Sequence, residues 1–525
     1  MSQPVSPARH PGDRWQLRKP AVSSRHGLVA AQQPEAARVG AGILARGGNA
    51  VDAAIATAFA LAATEPWMSG IGGGGVMLIY RADEGRVHAV DYTMTAPRRL
   101  DPARYPTVGG VDDGLFGWPL VQDDRNLLGY ESIAVPGAVD GFALARERFG
   151  SLAWAELITP AIELAERGML IDWAASLSIS VAARELQRFP ASAAIYLADG
   201  LPPVPAQWGA PKPLRLGALA GTLKRLATAG PRDFYEGEIA RRLVGDLQAG
   251  GSRIAADDLS SYRAESLPPL TTRYRGVELA LAPGLTGGPT AARVFADFAR
   301  HQFGAPTPTP ADFVAYARAL SAAYEHRFSA LGHAAPGSCT THLCTIDAAG
   351  NMVALTNTLL ARFGSKVVLP ETGVLMNNGI MWFDPRPGRP NSLAPGVKPL
   401  NNMCPLIATR DGQPWFAAGA SGGRSILPAV VQIASLLIDF GLSLEDAFHL
   451  PRLDLVRGTT ITCDTNMAPD AIDALAAGFA IELREPIAYP TGWAVPTAVE
   501  RRFGGINLAA ADPRSPWASV AAASA

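Results

Sequence analysis

A change of hydrophobic period near residue 340 constrains this 525-residue chain more than any other feature. From about Pro136 to Tyr262, and again from Thr290 to Phe328, the chain reads mainly as helices. From Thr341 apolar residues fall into short alternating or continuous runs: His342–Ile346, Met352–Thr358, Lys366–Val368, Leu406–Thr409 and Trp415–Gly419. Runs of that length and composition read as strands. A sheet has to cover its apolar face with another layer. A strand-rich last third beside a helix-rich middle therefore predicts an α+β architecture, layered sheets covered by helices in an αββα sandwich.

Local signals place the elements. Pro34 to Thr64 has helical periodicity cut by Gly47-Gly48-Asn49, a stop followed by a fresh start, so two packed helices are expected. Ser69-Gly70-Ile71 and the run Gly72 to Gly75 lead into Val76–Tyr80, a strand whose hairpin partner is Val87–Tyr92. Glycines that precede a strand are in the wrong order for a phosphate loop, where they follow a strand and open a helix. Helices are expected at Ala138–Phe149, Trp154–Arg167, Ile239–Ala249, Thr290–Phe328, Ala429–Phe440 and Leu444–Phe448, with a strand at Val277–Ala282 and a loop over Phe189–Pro213. Asp347–Asn351 and Arg410–Gln413 read as hairpin turns. Ala330–Ser338 has the composition of an exposed linker, and residues 1–26 that of a flexible N-terminal arm.

Charge and cysteine usage narrow the function. Lys and Arg number 46 against 47 Asp and Glu, a net charge of -1, which argues against a nucleic-acid or acidic-membrane binder that works by bulk charge. The longest apolar windows, Ala53–Thr64 and Ala429–Leu437, fall short of the roughly 20 residues of a membrane span. Cys339, Cys344, Cys404 and Cys463 contain no C-x-x-C spacing, so neither a zinc ribbon nor a disulfide framework is indicated. The N-terminus carries positive charge without an apolar run of signal-peptide length, and the expected location is the cytoplasm.

The sharpest chemical signal is Cys339-Thr340-Thr341-His342, between the linker and a strand. Thr-Thr is in itself an ordinary strand opening. If the peptide bond before Thr340 were cut, however, that residue would join a hydroxyl to an α-amine titrating near 7.7–8. A nucleophile would then carry its own base.

With these residues the chain resembles the γ-glutamyltransferase family of N-terminal-nucleophile (Ntn) hydrolases. The resemblance spans about Gly27 to Leu455 and rests on motifs in one order: Gly47 to Ala54; Glu65-Pro66 with Ser69 to Gly74; Val135-Pro136-Gly137; Asp258-Leu259; Thr340-Thr341-His342; Asp347 with Gly350-Asn351; Asn377-Asn378; Pro399-Leu400; Met403 with Pro405; and Ser421-Gly422-Gly423. It implies an Ntn-hydrolase αββα fold and a proenzyme that cuts itself between Cys339 and Thr340. The products would be a large chain, 27–339 with its arm, and a small chain, 340–525, held together as a heterodimer, with further pairing left open. No metal and no cofactor is implied. Thr340 would be the nucleophile, Thr358 the threonine bonded to it, and Gly422 and Gly423 the donors facing the oxyanion. Read without the family, Thr358 is a plain strand threonine and Ser421-Gly422-Gly423 a turn before a helix.

The substrate positions depart from the family pattern. Thr93 and Met94 stand where the family has the arginine for the α-carboxylate and its neighbouring glutamate. Asn401 and Asn402 replace two serines, Trp382 the aspartate for the α-amino group, and Leu360 an asparagine. A hydrogen bond to a charged group contributes about 1.5–3 kcal/mol, so γ-glutamyl recognition is expected to be weak. The pattern resembles the divergent branch holding glutathione-hydrolase-like proenzymes and cephalosporin acylases. Trp382 and Met94 either line an apolar acyl pocket or pack a core. Arg362, Arg386, Arg389 and Arg424 either reach a substrate carboxylate or are solvated surface charge. The expected activity is a self-processing amidohydrolase or acyltransferase acting on a small-molecule amide, with hydrolysis favoured. The alternatives are a genuine glutathione hydrolase with a rebuilt pocket and an inactive member serving as a binding protein. A conventional Ser-His-Asp hydrolase is not favoured.

Overall fold

Successive residues of the central strands enter different cores, and this decides the layering. In Gly74–Arg81, Met77 and Ile79 join an apolar cluster with the helices Pro34–Ala45 and Ala50–Thr64, while Leu78 and Tyr80 join a cluster between two sheets. A strand buried on both faces reads as a continuous apolar run, which is why this segment showed no polar alternation. The computed structural model describes residues 17–111, 118–197, 199–209, 212–332, 339–457, 460–488 and 492–524.

Two seven-stranded antiparallel sheets face each other. One runs β1 (Val22–Ser24), β18 (Ile506–Ala511), β17 (Val495–Arg502), β13 (Gln413–Ser421), β12 (Leu406–Arg410), β9 (Val277–Leu281) and β8 (Leu270–Tyr274). The other runs β19 (Ser519–Ala522), β2 (Gly27–Ala31), β10 (Cys339–Asp347), β11 (Met352–Leu360), β3 (Gly74–Arg81), β4 (Arg86–Tyr92) and β7 (Glu265–Leu267). A hairpin, β5 (Thr107–Val111) and β6 (Pro119–Val121), and a small sheet, β14 (Leu453–Arg457), β15 (Thr460–Asp464) and β16 (Ala480–Arg484), lie outside them. Leu28, Ala30, Ile346 and Ala354 meet Ile407, Ala417 and Val499 between the sheets. Helices Gly288–Phe298, Pro310–Ala330 and Ile426–Ile438 cover the outer face of the first sheet. The expected αββα order is present, and each sheet mixes strands from both sides of residue 340.

The Gly47-Gly48-Asn49 break falls where expected. Asn49 caps the helix Ala50–Thr64, its side chain accepting from the backbone of Val51 and Asp52, and the Asp52 carboxylate closes the capping box. Other expectations need correction. Thr290–Phe328 is two helices, Gly288–Phe298 and Pro310–Ala330, because Gly304, Pro306 and Pro308 interrupt it. Within Phe189–Pro213, Pro190–Tyr196 is a helix with proline at its first position, where the missing N–H costs nothing. Lys366–Val368 forms only an isolated bridge, Val368 to Leu375. Of the expected arm 1–26, residues 1–16 lie outside the described residues, and Val22–Ser24 pairs with Asn507–Ala509 as an edge strand rather than draping loosely. The linker 330–338 lies outside the described residues from 333 onward.

The glycine run serves close packing. A Cβ on Gly73 would lie 2.2 Å from the Thr358 carbonyl oxygen and one on Gly75 2.0 Å from that of Thr356, so the glycines let β3 and its lead-in approach the backbone of β11. Between the sheets, a Cβ on Gly419 would come within 2.2 Å of the His342 ring. Overpacking of this kind costs about 1–3 kcal/mol. Chemical denaturation of Gly419→Ala is expected to show a loss in that range, and unchanged stability would mean the ring has room to move.

Candidate active site

Strand β10 pairs with β11 in register from Thr341 to Ile346, but Cys339 stands opposite Leu360, so the ladder shifts between Cys339 and Thr341. A bulge bends a strand and re-aims the extra residue. The extra residue lies in β11, where Asn357 to Leu360 is met by the shorter step Cys339 to Thr341, so Thr340 stands alone opposite Thr358 and Leu359, and its hydroxyl lies 3.2 Å from the Thr358 hydroxyl across the ladder. Both residues are buried. Thr358 Oγ1 also accepts from the Leu360 N–H at 2.8 Å, which fixes its rotamer.

Leu360 holds a left-handed φ of 81° at the end of β11. Such a backbone is strained for a branched apolar residue and easier for asparagine. The strain is retained through bonds on either side: Asn378 N–H donates to the Leu359 carbonyl and Ala361 N–H to Asn378 Oδ1. Asn377 fastens the glycine loop, its Nδ2 donating to the carbonyls of Gly72 and Ala134 at 2.7 and 2.9 Å. Its Oδ1 accepts from the N–H groups of Ala134 and Gly379. The tandem asparagines thus brace the turn beyond β11.

Leu360 and Trp382 share one apolar cluster with Met94, Met403, Val76 and Phe383. Thr93 and Asn402 adjoin Met94 and Met403 in the chain, so the positions expected to meet the substrate lie in or next to this one cluster. Thr93 is held through its backbone, its N–H donating to Asp91 Oδ1 and its carbonyl accepting from the Tyr262 hydroxyl. Asn401 Oδ1 accepts from the Met403 N–H at 3.1 Å.

Gly422 and Gly423 follow β13, which packs against β10 and β11, and lead through a 3-10 turn into the helix Ile426–Ile438. Their φ values, 128° and 62°, are open to glycine and strained for other residues. Residues Gly419 to Gly423 spell G-x-S-x-G, the pattern of a serine-hydrolase elbow. Ser421, however, is a strand residue opposite Val495 and accepts from Gln32 Nε2, while the His342 ring bonds Thr356 and Cys344. Burial holds that imidazole neutral, its pKa pushed down to about 3. No serine–histidine pair forms here.

The arginines divide. Arg386 grips Asp384 with two nitrogens, at 2.9 and 2.7 Å. Arg389 is exposed, whereas Arg424 is buried with its guanidinium 4.3 Å from the Phe328 ring centroid, which overturns the reading of it as solvated surface charge. Burial pushes its pKa down to about 10.

In the sequence Glu65 stands out only as part of the Glu65-Pro66 motif. Its Oε2 accepts from Thr341 Oγ1 at 3.2 Å on the helix-covered face of β10. Burial raises its pKa from 4.5 to about 8. The folded chain therefore keeps a proton that the unfolded chain releases in this range, and stability falls as pH rises from about 4.5 to 8. Glu65→Gln is expected to flatten that slope in denaturation series, and an unchanged slope would place the titration elsewhere.

Among the described residues no group of three or more potential metal ligands is gathered, and no helix is long and apolar enough to cross a membrane.

The gamma-glutamyltranspeptidase family profile matches residues 36–336 and 314–522. An Acylase ACY 1 proenzyme of Pseudomonas sp. (strain V22) is 35% identical over 494 residues, 86% of each chain. The glutathione hydrolase proenzyme of Escherichia coli (strain K12) is 29% identical over 82% of this chain and 81% of its own. The crystal structure of cephalosporin acylase from Bacillus halodurans superposes over 100% of both chains with a TM-score of 0.86 at 24% identity, a likeness of fold. With the family profile covering most of the chain and an acylase proenzyme more than 30% identical along 86% of it, this protein belongs to the gamma-glutamyltranspeptidase family.

Proposed function

We propose that the chain is a self-processing amidohydrolase in which Thr340 first cuts the chain and then acts on a small-molecule amide. The observation that carries this reading is the bulge that brings the Thr340 hydroxyl to 3.2 Å from that of Thr358 at the first residues of β10. In processing, the Thr340 oxygen attacks the carbonyl carbon of Cys339. The C–N bond breaks as the nitrogen takes a proton, and water hydrolyses the resulting ester to leave a Cys339 carboxylate and a free Thr340 amine. In turnover, that amine accepts the proton of its own hydroxyl as the oxygen attacks the substrate amide. Negative charge develops on the carbonyl oxygen toward the N–H groups of Gly422 and Gly423, and a preorganised donor there contributes about 2.7–4 kcal/mol. The leaving amine carries the proton away, and water releases the acyl group. Thr358, oriented by the Leu360 N–H, steadies the attacking oxygen.

The acyl site of this reading is formed by Leu360, Trp382 and Met94, with Thr93, Asn401 and Asn402 as its polar margin. An acylase-like preference is supported by this apolar cluster together with the 35% identity to an acylase proenzyme. Two processed chains, 27–339 with its arm and 340–525, would remain paired because β10 and β11 lie between β2 and β3 in one sheet. Denaturing electrophoresis with N-terminal analysis tests the proposal. Two chains are expected, the smaller beginning at Thr340. A single uncut chain with no turnover of any amide would instead favour an inactive binding protein.

A further inference from the structure

Near the end of the helix Pro310–Ala330, Arg327 is 1% exposed, and among the described residues its partners include no carboxylate. Nη1 donates to the Thr286 carbonyl at 3.0 Å and to Thr290 Oγ1 at 3.1 Å, and Nη2 donates to the Asn401 carbonyl at 2.6 Å and to Asn402 Oδ1 at 3.2 Å. A guanidinium has only donors, so the atom of the Asn402 amide that faces it has to be the oxygen. This settles an orientation that amide shape alone leaves ambiguous. Asn402 Nδ2 is turned the other way, and it is buried with no hydrogen-bond partner. Asn402 is itself only 7% exposed, so the vacant donors are not satisfied by open solvent. A buried donor without an acceptor costs about 1–3 kcal/mol, a cost removed when a ligand oxygen meets it.

We propose that Arg327 is a positioning residue that turns the Asn402 amide so that its NH2 faces the acyl group, and that the preferred acyl group carries an acceptor oxygen, carboxylate or carbonyl, at that point. The inference rests on the acyl-site reading above and adds to it the residue that sets the polarity of the site. Arg327 also joins segments distant in sequence: the turn at Thr286 to Thr290, the Asn401–Asn402 pair and the last helix before the scissile bond.

The test compares glutaryl and valeryl p-nitroanilides, two five-carbon acyl groups of which only the first ends in a carboxylate, on processed protein. Asn402→Asp puts an oxygen where the NH2 was, and the glutaryl-to-valeryl ratio of kcat/KM is expected to fall at least 50-fold. Arg327→Lys removes the fork, and the same ratio is expected to fall at least tenfold, through KM for the glutaryl substrate. A purely structural Arg327 would lower both substrates together, and that result overturns the proposal. So does an unchanged ratio in Asn402→Asp, which decides the matter alone if Arg327→Lys does not mature. Should Asn402→Asp shift the ratio while matured Arg327→Lys does not, this inference falls and the acyl-site reading stands. Wild-type two-chain protein that hydrolyses neither substrate would overturn both.

Discussion

Thr340→Ala is expected to leave a single uncut chain of 525 residues with no amidase activity. The expectation is strong because one oxygen serves both stages: without it no ester forms at Cys339, so no α-amine is released, and no acyl-enzyme can form afterwards. The fold should tolerate the change, since Thr340 stands at the irregular end of the β10–β11 ladder and the substitution removes only a hydroxyl and a methyl. Thr340→Ser retains the oxygen and should process more slowly, so the pair of variants separates lost chemistry from lost folding. Mass analysis of purified protein is the measurement. A Thr340→Ala chain that still matures into two pieces at the same bond would mean that another group cuts it.

The second large effect concerns the acyl group. A glutaryl anilide is expected to exceed a γ-glutamyl anilide in kcat/KM by about tenfold to more than a hundredfold. The two differ by one ammonium group, and a hydrogen bond from a charged group contributes about 1.5–3 kcal/mol when its partner is present. Here Trp382 occupies the position expected to hold that partner, and it is 2% exposed within an apolar cluster. An ammonium brought against it loses water and gains no carboxylate. Parallel kinetics on the two anilides decide the matter, and a clear preference for the γ-glutamyl substrate would show that another acid completes the site.

Leu360 points in the same direction. A leucine at φ 81° is strained where an asparagine would be comfortable, yet it is wholly buried against Met94 and Trp382. The apolar contact offsets a backbone cost of about 1–3 kcal/mol, consistent with a site shaped for an apolar acyl stem.

Much of the layering was legible in the order of residues. The asparagine cap at Asn49, the glycine lead into β3 and the apolar runs after Thr341 are local signals, and each depends on backbone preferences within a few positions. Thr340, Thr358 and the glycine pair are named through the family resemblance; read without it, Thr358 is a plain strand threonine and the glycines a turn before a helix. What only the tertiary structure decided is which side chains meet across long separations. The shifted register of β10 on β11 aims Thr340 at Thr358, Gly419 leaves room for His342, Arg424 lies under Phe328, and Arg327 reaches Asn402 from a residue 75 positions away. Side-chain period tells which face of an element is apolar, but strand register and the packing of distant helices determine the partner on that face. Those are properties of the assembled sandwich, and no stretch of the chain carries them alone.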